Sequence, residues 1–272
     1  MDGLKERLLG HEGTDAALTS WHGLATWLMF IMAVPTFVAL MAGISAPYGR
    51  YSRNGWGLFI NARLAWFTQE VPSPLVFLGI LLWTGADSFL KHPFSPRSVL
   101  AAAFCAHYTY RSFVFPCIIR GGKPTPISVW AMSFVFCIWN GFLQGWCFAK
   151  QLSPEQPQWS PRVVVGLAVW LFGWINVMRA DLILINLRKP GETGYKIPRG
   201  GMFEVVSAGN YASEIIEWSG FALAVGSLPA AAFATFTFCN LAPRGHHHHS
   251  WYQNKFKGEY PRSRRAVVPF LW

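Results

Sequence analysis

Three stretches without a single charge constrain this chain more than any other feature. No Asp, Glu, Lys or Arg occurs between Asp15 and Arg50, between Lys123 and Lys150, or between Glu217 and Arg244. Each stretch has room for the ~20 apolar residues that a helix needs to cross a bilayer. Soluble domains carry about 25% charged residues; here the share is 13%, and 52% of the residues are hydrophobic. The expected fold is an all-α integral membrane protein with seven transmembrane helices enclosing a cavity. The spans are expected at about 20–43, 72–90, 97–119, 126–149, 162–187, 203–225 and 227–243. The last two are separated because residues 203–243 are too long for one span, and Gly226, Ser227 and Pro229 offer a turn. No repeat or low-complexity linker divides the chain. Residues 1–272 read as a single membrane-embedded domain, with a polar head at 1–19 and a tail at 244–272.

The head mixes Asp2, Lys5, Glu6, Arg7, Glu12 and Asp15. A signal peptide would start basic and end its short apolar core in small residues, so the first apolar run reads as an uncleaved span. The five cysteines lie in or beside apolar segments with no CxxC spacing, which suits small core residues better than disulfides or metal ligands. The formal charge of +10 is not a soluble basic patch, which argues against a nucleic-acid partner. Lys and Arg instead crowd the ends of the spans. With the N-terminus outside and the C-terminus cytoplasmic, 15 of them fall on the cytoplasmic side and 6 outside, the asymmetry expected of a multi-pass protein.

Seven ionisable residues fall within or at the edge of the apolar segments: Glu70, Asp87, Arg111, Arg179, Asp181, Glu214 and Glu217. Charges at mid-membrane cost a few kcal/mol or more and usually face a cavity or a partner. Asp87 and Arg179 sit near span ends, where snorkelling suffices. Glu70, Arg111, Asp181 and Glu214 are candidates for a functional cavity. Glu70 precedes Pro72 and Pro74 at a helix start, and Tyr108 and Arg111 are one helical turn apart, on one expected face. A phenol and a protonated or hydrogen-bonded carboxyl in an apolar cavity can bind and polarise a ketone oxygen, because such donors stabilise charge developing on oxygen.

The polar insert "NLRKPGETGYKIPRGGMFEVVSAGNYASEIIEW" spans Asn186 to Trp218 between two apolar segments. Arg188, Lys189, Lys196 and Arg199 can neutralise phosphates, and its glycines permit tight turns and close backbone approach. Tyr195 could stack on a flat ring. Asn210 and Glu214 are four residues apart and share a helical face from which to hydrogen-bond a ribose or an amide. No GxGxxG fingerprint lies between a strand and a helix, so a Rossmann site is excluded. The chemistry suits a phosphate-bearing ligand at the membrane–cytosol boundary; a basic, turn-rich connecting loop is the plainer alternative.

The same insert resembles the hallmark segment of the steroid 5-alpha-reductases. The likeness continues, in order, through "AWFTQEVPSP", "HYTYRSFVFPCIIRGGKPTP", "WNGFLQG", "SLPAAAFATFTFCNL" and "HHHHSWYQNKFKGEYPRSRRAVVPFLW", covering roughly residues 60–272. The resemblance implies a seven-helix membrane enzyme that reduces the C4–C5 double bond of a 3-oxo-Δ4-steroid with NADPH. Glu70 and Tyr108 would hold and polarise the C3 carbonyl. Arg188, Tyr195, Asn210, Glu214, Asp181, Asn176, Arg244, His248 and Tyr252 would contact the cofactor. Lys123 stands where some relatives have arginine, keeping the charge but losing the fork geometry. The run His246–His249 would be a cofactor-facing loop rather than a tag or a metal site, and no metal is expected. The implied partners are a steroid or other apolar enone and the lipid bilayer, with the protein a monomer. Three rivals stand beside this reading: a reductase of another lipid enone or polyprenol, a membrane methyltransferase using S-adenosylmethionine, and a seven-helix receptor or transporter.

Overall fold

The computed structural model describes residues 11–272 apart from 45–46, 48, 52, 86–87, 153–157, 190 and 193. The polar head before residue 11 and Asp87 therefore lie outside the described residues. The protein is mostly helical. Helix α1 (His11–Met41) leads, followed by α2 (Ala62–Glu70), α3 (Pro72–Trp83), the short α4 (Ser88–Lys91) and α5 (Pro96–Thr109). A π-turn at Tyr110–Val114 links α5 to α6 (Phe115–Ile118), and α7 (Ile127–Trp146) likewise ends in a π-turn, Cys147–Gln151. Then come α8 (Pro161–Ile185), α9 (Gly209–Val225) and α10 (Leu228–Phe256). Two short strands, Phe59–Ile60 and Thr125–Pro126, pair antiparallel and close the entry to α2 against that of α7.

Among the described residues, four helical stretches are long and apolar enough to cross a membrane: Asp15–Met41, Ala62–Trp83, Ile127–Gln151 and Pro161–Ile185. Trp21, Leu24, Trp27, Ile31, Val34 and Val38 are all exposed on α1. Large exposed apolar surfaces of this kind mark an interaction surface, and here a lipid surround accounts for them. The protein is an all-α membrane protein.

Several helix limits differ from the expected spans. The second apolar helix begins at Ala62, ten residues before the expected start of its span, because Asn61 caps it. The Asn61 side chain accepts from the N–H groups of Arg63 and Leu64, satisfying donors that a helix start leaves unpaired. Pro72 starts α3 instead of starting the whole segment, since a proline at the first turn costs no backbone hydrogen bond. The break between the last two helices falls where the sequence suggests. Gly226 takes a left-handed conformation at φ 66°, and Ser227 accepts from Ala230 N–H to cap α10. That last helix does not stop at 243, however. It continues past Pro243 to Phe256, so His246–His249 lie on a helix and not on a loop.

Two glycine seams set the arrangement of the site. On α8, a methyl group added at Gly173 would lie 2.5 Å from the Cα of Glu217, and one at Gly166 would lie 2.7 Å from the Cα of Ala224. On α7, one at Gly141 would lie 2.6 Å from the carbonyl oxygen of Ser73. Small residues let helix backbones approach closely, the usual packing device within a bilayer. The pairs α8/α9 and α3/α7 are thereby held tightly, with Phe77, Phe104, Phe148, Trp218, Phe221 and Phe233 filling the core around α5. All five cysteines are free thiols; Cys137 and Cys147 are buried as expected, whereas Cys117 is exposed.

Candidate active site

The end of α2, the second half of α5 with its π-turn, and the facing sides of α7, α8 and α9 bring polar side chains together inside the helices. Glu70, the last residue of α2, is partly buried, and Cys137 Sγ lies 3.8 Å from its Oε2. Tyr108 is 3% exposed, and both Glu70 and Cys137 are its electrostatic neighbours. Its hydroxyl accepts a hydrogen bond from Asn140 Nδ2 at 2.9 Å. Glu70 and Tyr108 are thus neighbours: Phe104 and Trp218 lie against the phenol ring, and Arg111, Glu214 and His107 are further electrostatic neighbours of Glu70.

One turn on, Arg111 lies over the rings of Trp66 and Phe115, 4.6 and 5.0 Å from their centroids. Its guanidinium donates to Asp181 Oδ2 at 3.2 Å and lies 3.8 Å from Glu214 Oε2. The Tyr110 hydroxyl donates to the same Asp181 oxygen. Tyr108 and Arg111 were expected to share a face; the structure turns Tyr108 to α7 and Arg111 to α8 and α9. The π-turn that begins at Tyr110 adds a residue to the helical turn and re-aims the side chains after it, as such bulges do at functional sites. Next to Tyr108, His107 Nδ1 is 2.7 Å from Glu217 Oε1, with both side chains buried.

A second polar region lies beyond the C-terminus of α8. Arg188 is exposed and donates to the Gly194 carbonyl at 3.3 Å. Tyr195 is 39% exposed and meets Trp251 edge to face. Lys196 pairs with Glu192, whose carboxyl is held below its usual range by that ammonium and by the N–H of Lys189. Gly200 and Gly201, at φ 93° and 54°, turn the chain toward α9. Immediately before α9, the backbone at 205–208 is bonded to 265–266: Ser207 N–H donates to the Arg265 carbonyl and Ala208 N–H to that of Ala266. Arg264 is buried beside them. It donates to the Pro198 carbonyl at 2.9 Å and faces Glu204 at 3.6 Å. The Glu204 carboxyl also accepts from Gly200 N–H and is held below its usual range, first by that bond. The C-terminal tail is therefore a buttress for the polar insert and for the start of α9.

The family model described as 3-oxo-5-alpha-steroid 4-dehydrogenase matches residues 123–272. A 3-oxo-5-alpha-steroid 4-dehydrogenase 1 from Bos taurus is 45% identical over 234 residues, covering 85% of this chain and 90% of the relative. The corresponding Homo sapiens protein is 44% identical over 231 residues, covering 84% and 87%. A steroid 5-alpha-reductase from Gossypium hirsutum is 40% identical over 253 residues, covering 90% and 95%.

The chain belongs to the 3-oxo-5-alpha-steroid 4-dehydrogenase family.

The stretch matched by the family model holds every expected cofactor residue but neither Glu70 nor Tyr108. Of those cofactor candidates, Asp181 and Glu214 join through Arg111, and Asn210 lies one turn before Glu214 at the start of α9. His248 sits between the rings of Tyr51 and Tyr211, at 5.6 and 5.3 Å. Arg244 is partly buried one turn earlier on α10. Tyr252 is buried, stacked on Tyr260 at 5.5 Å. Asn176 is bonded within its own helix, to the Phe172 carbonyl at 2.8 Å. Lys123 is exposed ahead of α7. Sequence reasoning in this family member missed His107, Tyr110, Asn140 and Gln144. The pair Asn140 and Gln144 carried a readable signal, being two amides one turn apart on an otherwise apolar helix.

Proposed function

We propose that this protein reduces the C4–C5 double bond of a 3-oxo-Δ4-steroid to the 5-alpha product, with NADPH as the reductant. The observation that carries this reading is the nearness of the Glu70 carboxyl to the Tyr108 phenol, which is itself set in an aromatic, apolar cluster. It has the support of the relatives' names, which describe steroid reductases of this class.

The Tyr108 hydroxyl and a protonated Glu70 donate to the C3 carbonyl oxygen. Their donors act most strongly as negative charge builds on that oxygen in the transition state. Bound NADPH supplies the hydride that goes to C5, and a proton is added at C4. Phe104 and Trp218 give an apolar steroid a surface to pack against and keep water from the enolate. Arg111 pairs with Asp181 and Glu214 and is also an electrostatic neighbour of Glu70, so it ties the carboxylates of the inner region together.

The donor set fits a dinucleotide phosphate. Of Arg188's described contacts, only the bond to Gly194 engages its guanidinium, which leaves planar donors for phosphate. Tyr195 presents a partly exposed ring. Asn210, Asp181 and Glu214 offer amide and carboxylate groups for a ribose or carboxamide, with Arg244, His248, Tyr252, Asn176 and Lys123 as further contacts. We also infer seven spans with the N-terminus outside, since 15 Lys and Arg then face the cytoplasm against 6 outside, and NADPH enters from the cytoplasm. The working unit is a monomer.

Purified protein titrated with NADPH and a 3-oxo-Δ4-steroid, followed by nicotinamide absorbance, tests the reading directly. Steroid-dependent NADPH oxidation is expected. Turnover with a polyprenol alone, or methyl transfer from S-adenosylmethionine, would overturn it.

A further inference from the structure

The motif "WNGFLQG" takes no part in the reaction proposed for Glu70 and Tyr108, yet the structure builds a directional chain on it. Asn140 and Gln144 are one turn apart on α7, and both are fully buried. Gln144 Nε2 donates to the Pro229 carbonyl at 3.1 Å and to Asn140 Oδ1 at 3.2 Å. Asn140 Nδ2 then donates to the Tyr108 hydroxyl at 2.9 Å. A side-chain amide has one end that only donates and one that only accepts, and a backbone carbonyl can only accept. The Pro229 carbonyl therefore orients Gln144 with its NH2 toward it. That NH2 orients Asn140 with its oxygen toward Gln144, and the remaining NH2 of Asn140 has to face Tyr108. The amide orientations are set by the one group in the chain whose polarity is fixed.

We propose that Asn140 and Gln144 are positioning residues that set the direction of the Tyr108 hydroxyl. Because Asn140 donates to it, the phenol oxygen is an acceptor toward α7, and its own proton is directed away, toward a substrate carbonyl. Ser73 supplies the resting partner. Its hydroxyl neighbours that of Tyr108 and spends its own proton on the Cys137 carbonyl at 3.0 Å, leaving its oxygen free to accept. Donation from Asn140 also stabilises negative charge drawn onto the phenol as its proton is pulled toward the carbonyl. Gln144 Oε1 is buried with no partner among the described residues, so this polarity is held at the expense of an unsatisfied acceptor. Gly141 and Gly145, each the residue after one of the two amides, let α3 approach α7 closely enough to enclose the pair.

The inference rests on the proposed role of Tyr108, and a double-mutant cycle separates the two. Asn140→Leu is expected to lower kcat about tenfold, as for one lost hydrogen bond to a developing charge, with little change in steroid KM. In a Tyr108→Phe background the same substitution is expected to add nothing, because residues acting through one group are not additive. Gln144→Met, which keeps size and removes the donor, should show the same pattern with a smaller loss. A second readout needs no NADPH. The C3 carbonyl stretch of a bound 3-oxo-Δ4-steroid, read by difference infrared spectroscopy, should move back toward its free value in Asn140→Leu. Full turnover in both Asn140→Leu and Gln144→Met, or losses that multiply with Tyr108→Phe, would overturn the relay while leaving Tyr108 in place. Full turnover in Tyr108→Phe alone would instead remove the role of Tyr108 on which the relay depends.

Discussion

Arg111 and Arg188 are arginines of the inner and the outer polar region, and their settings are opposite. Arg111 is largely enclosed, lies over two aromatic rings and is shared by Asp181 and Glu214. Arg188 is exposed and, among the described residues, donates to the backbone carbonyl of Gly194, six residues on. The same contrast runs through their surroundings. Around Arg111, side chains from α2, α5, α7, α8 and α9 hold one another across elements, so each group has one geometry. Around Arg188 the charges are exposed, and Lys196 pairs with Glu192 four residues away. The inner region is built to fix donors and the outer one to attract an anion. Substitutions inside should damage fold or rate, and substitutions outside should damage affinity.

The largest effect is expected at Arg111. Removing one member of a buried ion pair leaves the others uncompensated, at a cost of about 3–5 kcal/mol. Arg111→Leu should lower the thermal midpoint in detergent sharply or prevent folding. A variant as stable as the parent would erase the contrast with Arg188.

Next is Tyr108. Tyr108→Phe keeps the ring and removes the donor, and losing one such donor costs about 10²–10³ in kcat. Steroid binding and melting temperature should stay close to the parent's, whereas Tyr108→Ala should destabilise the aromatic core. At Glu70, the Gln substitution should lose activity in part and Ala should lose most of it. If Tyr108→Phe changed NADPH affinity as strongly as kcat, the two regions would not be separable in function.

Third is Arg188. A charge-assisted contact contributes roughly 1.5–3 kcal/mol, so Arg188→Ala should raise the NADPH Kd about tenfold or more by fluorescence titration and leave the melting temperature unchanged. Binding of NADPH to the parent protein should weaken with added salt, because exposed charges are screened. Salt-independent binding would move the phosphate site elsewhere.

The smallest effect concerns the buttress. His249, beyond the expected last span, faces Ser207 at 2.5 Å and Gln253 at 2.9 Å. Burial, then the charges of His246 and Arg265, hold its imidazole below the usual 6.5. A depressed value means the folded state resists protonation. Its contribution is therefore present above pH 6.5 and is lost as the pH falls from there through the folded value. Hydrogen-exchange protection at 205–208 should decline modestly between about pH 7.5 and 5.5, and His249→Asn should flatten that decline. A flat profile in the parent would mean that the tail docks without regard to this histidine.

Much of the fold was legible because its signals are local. Uncharged runs announce buried or lipid-facing helices, and Gly226, Ser227 and Pro229 announce a helix break by their own backbone chemistry. The start at Ala62 was missed because the segment from Arg63 to Glu70 is too polar to read as part of a span; it becomes helical through Asn61 and through packing on α7. The run His246–His249 read as a loop because nothing in four histidines signals a helix. Its placement comes from α10 being carried past Pro243 by contacts such as that of His246 with Trp272.

The sequence by itself determined that this chain is a helical membrane protein of a recognisable family, with a carboxyl and a phenol in apolar segments and a basic, turn-rich insert after a long helix. Those are properties of composition, spacing and ordered motifs, and they need no neighbours. Only the tertiary structure decided that Arg111 answers to Asp181 and Glu214, that the tail from Arg264 to Ala266 holds the approach to α9, and that Asn140 turns its NH2 to Tyr108. A charge or an amide has no direction of its own in sequence. It acquires one when helices packed closely through Gly141 and Gly173 bring particular donors and acceptors within reach.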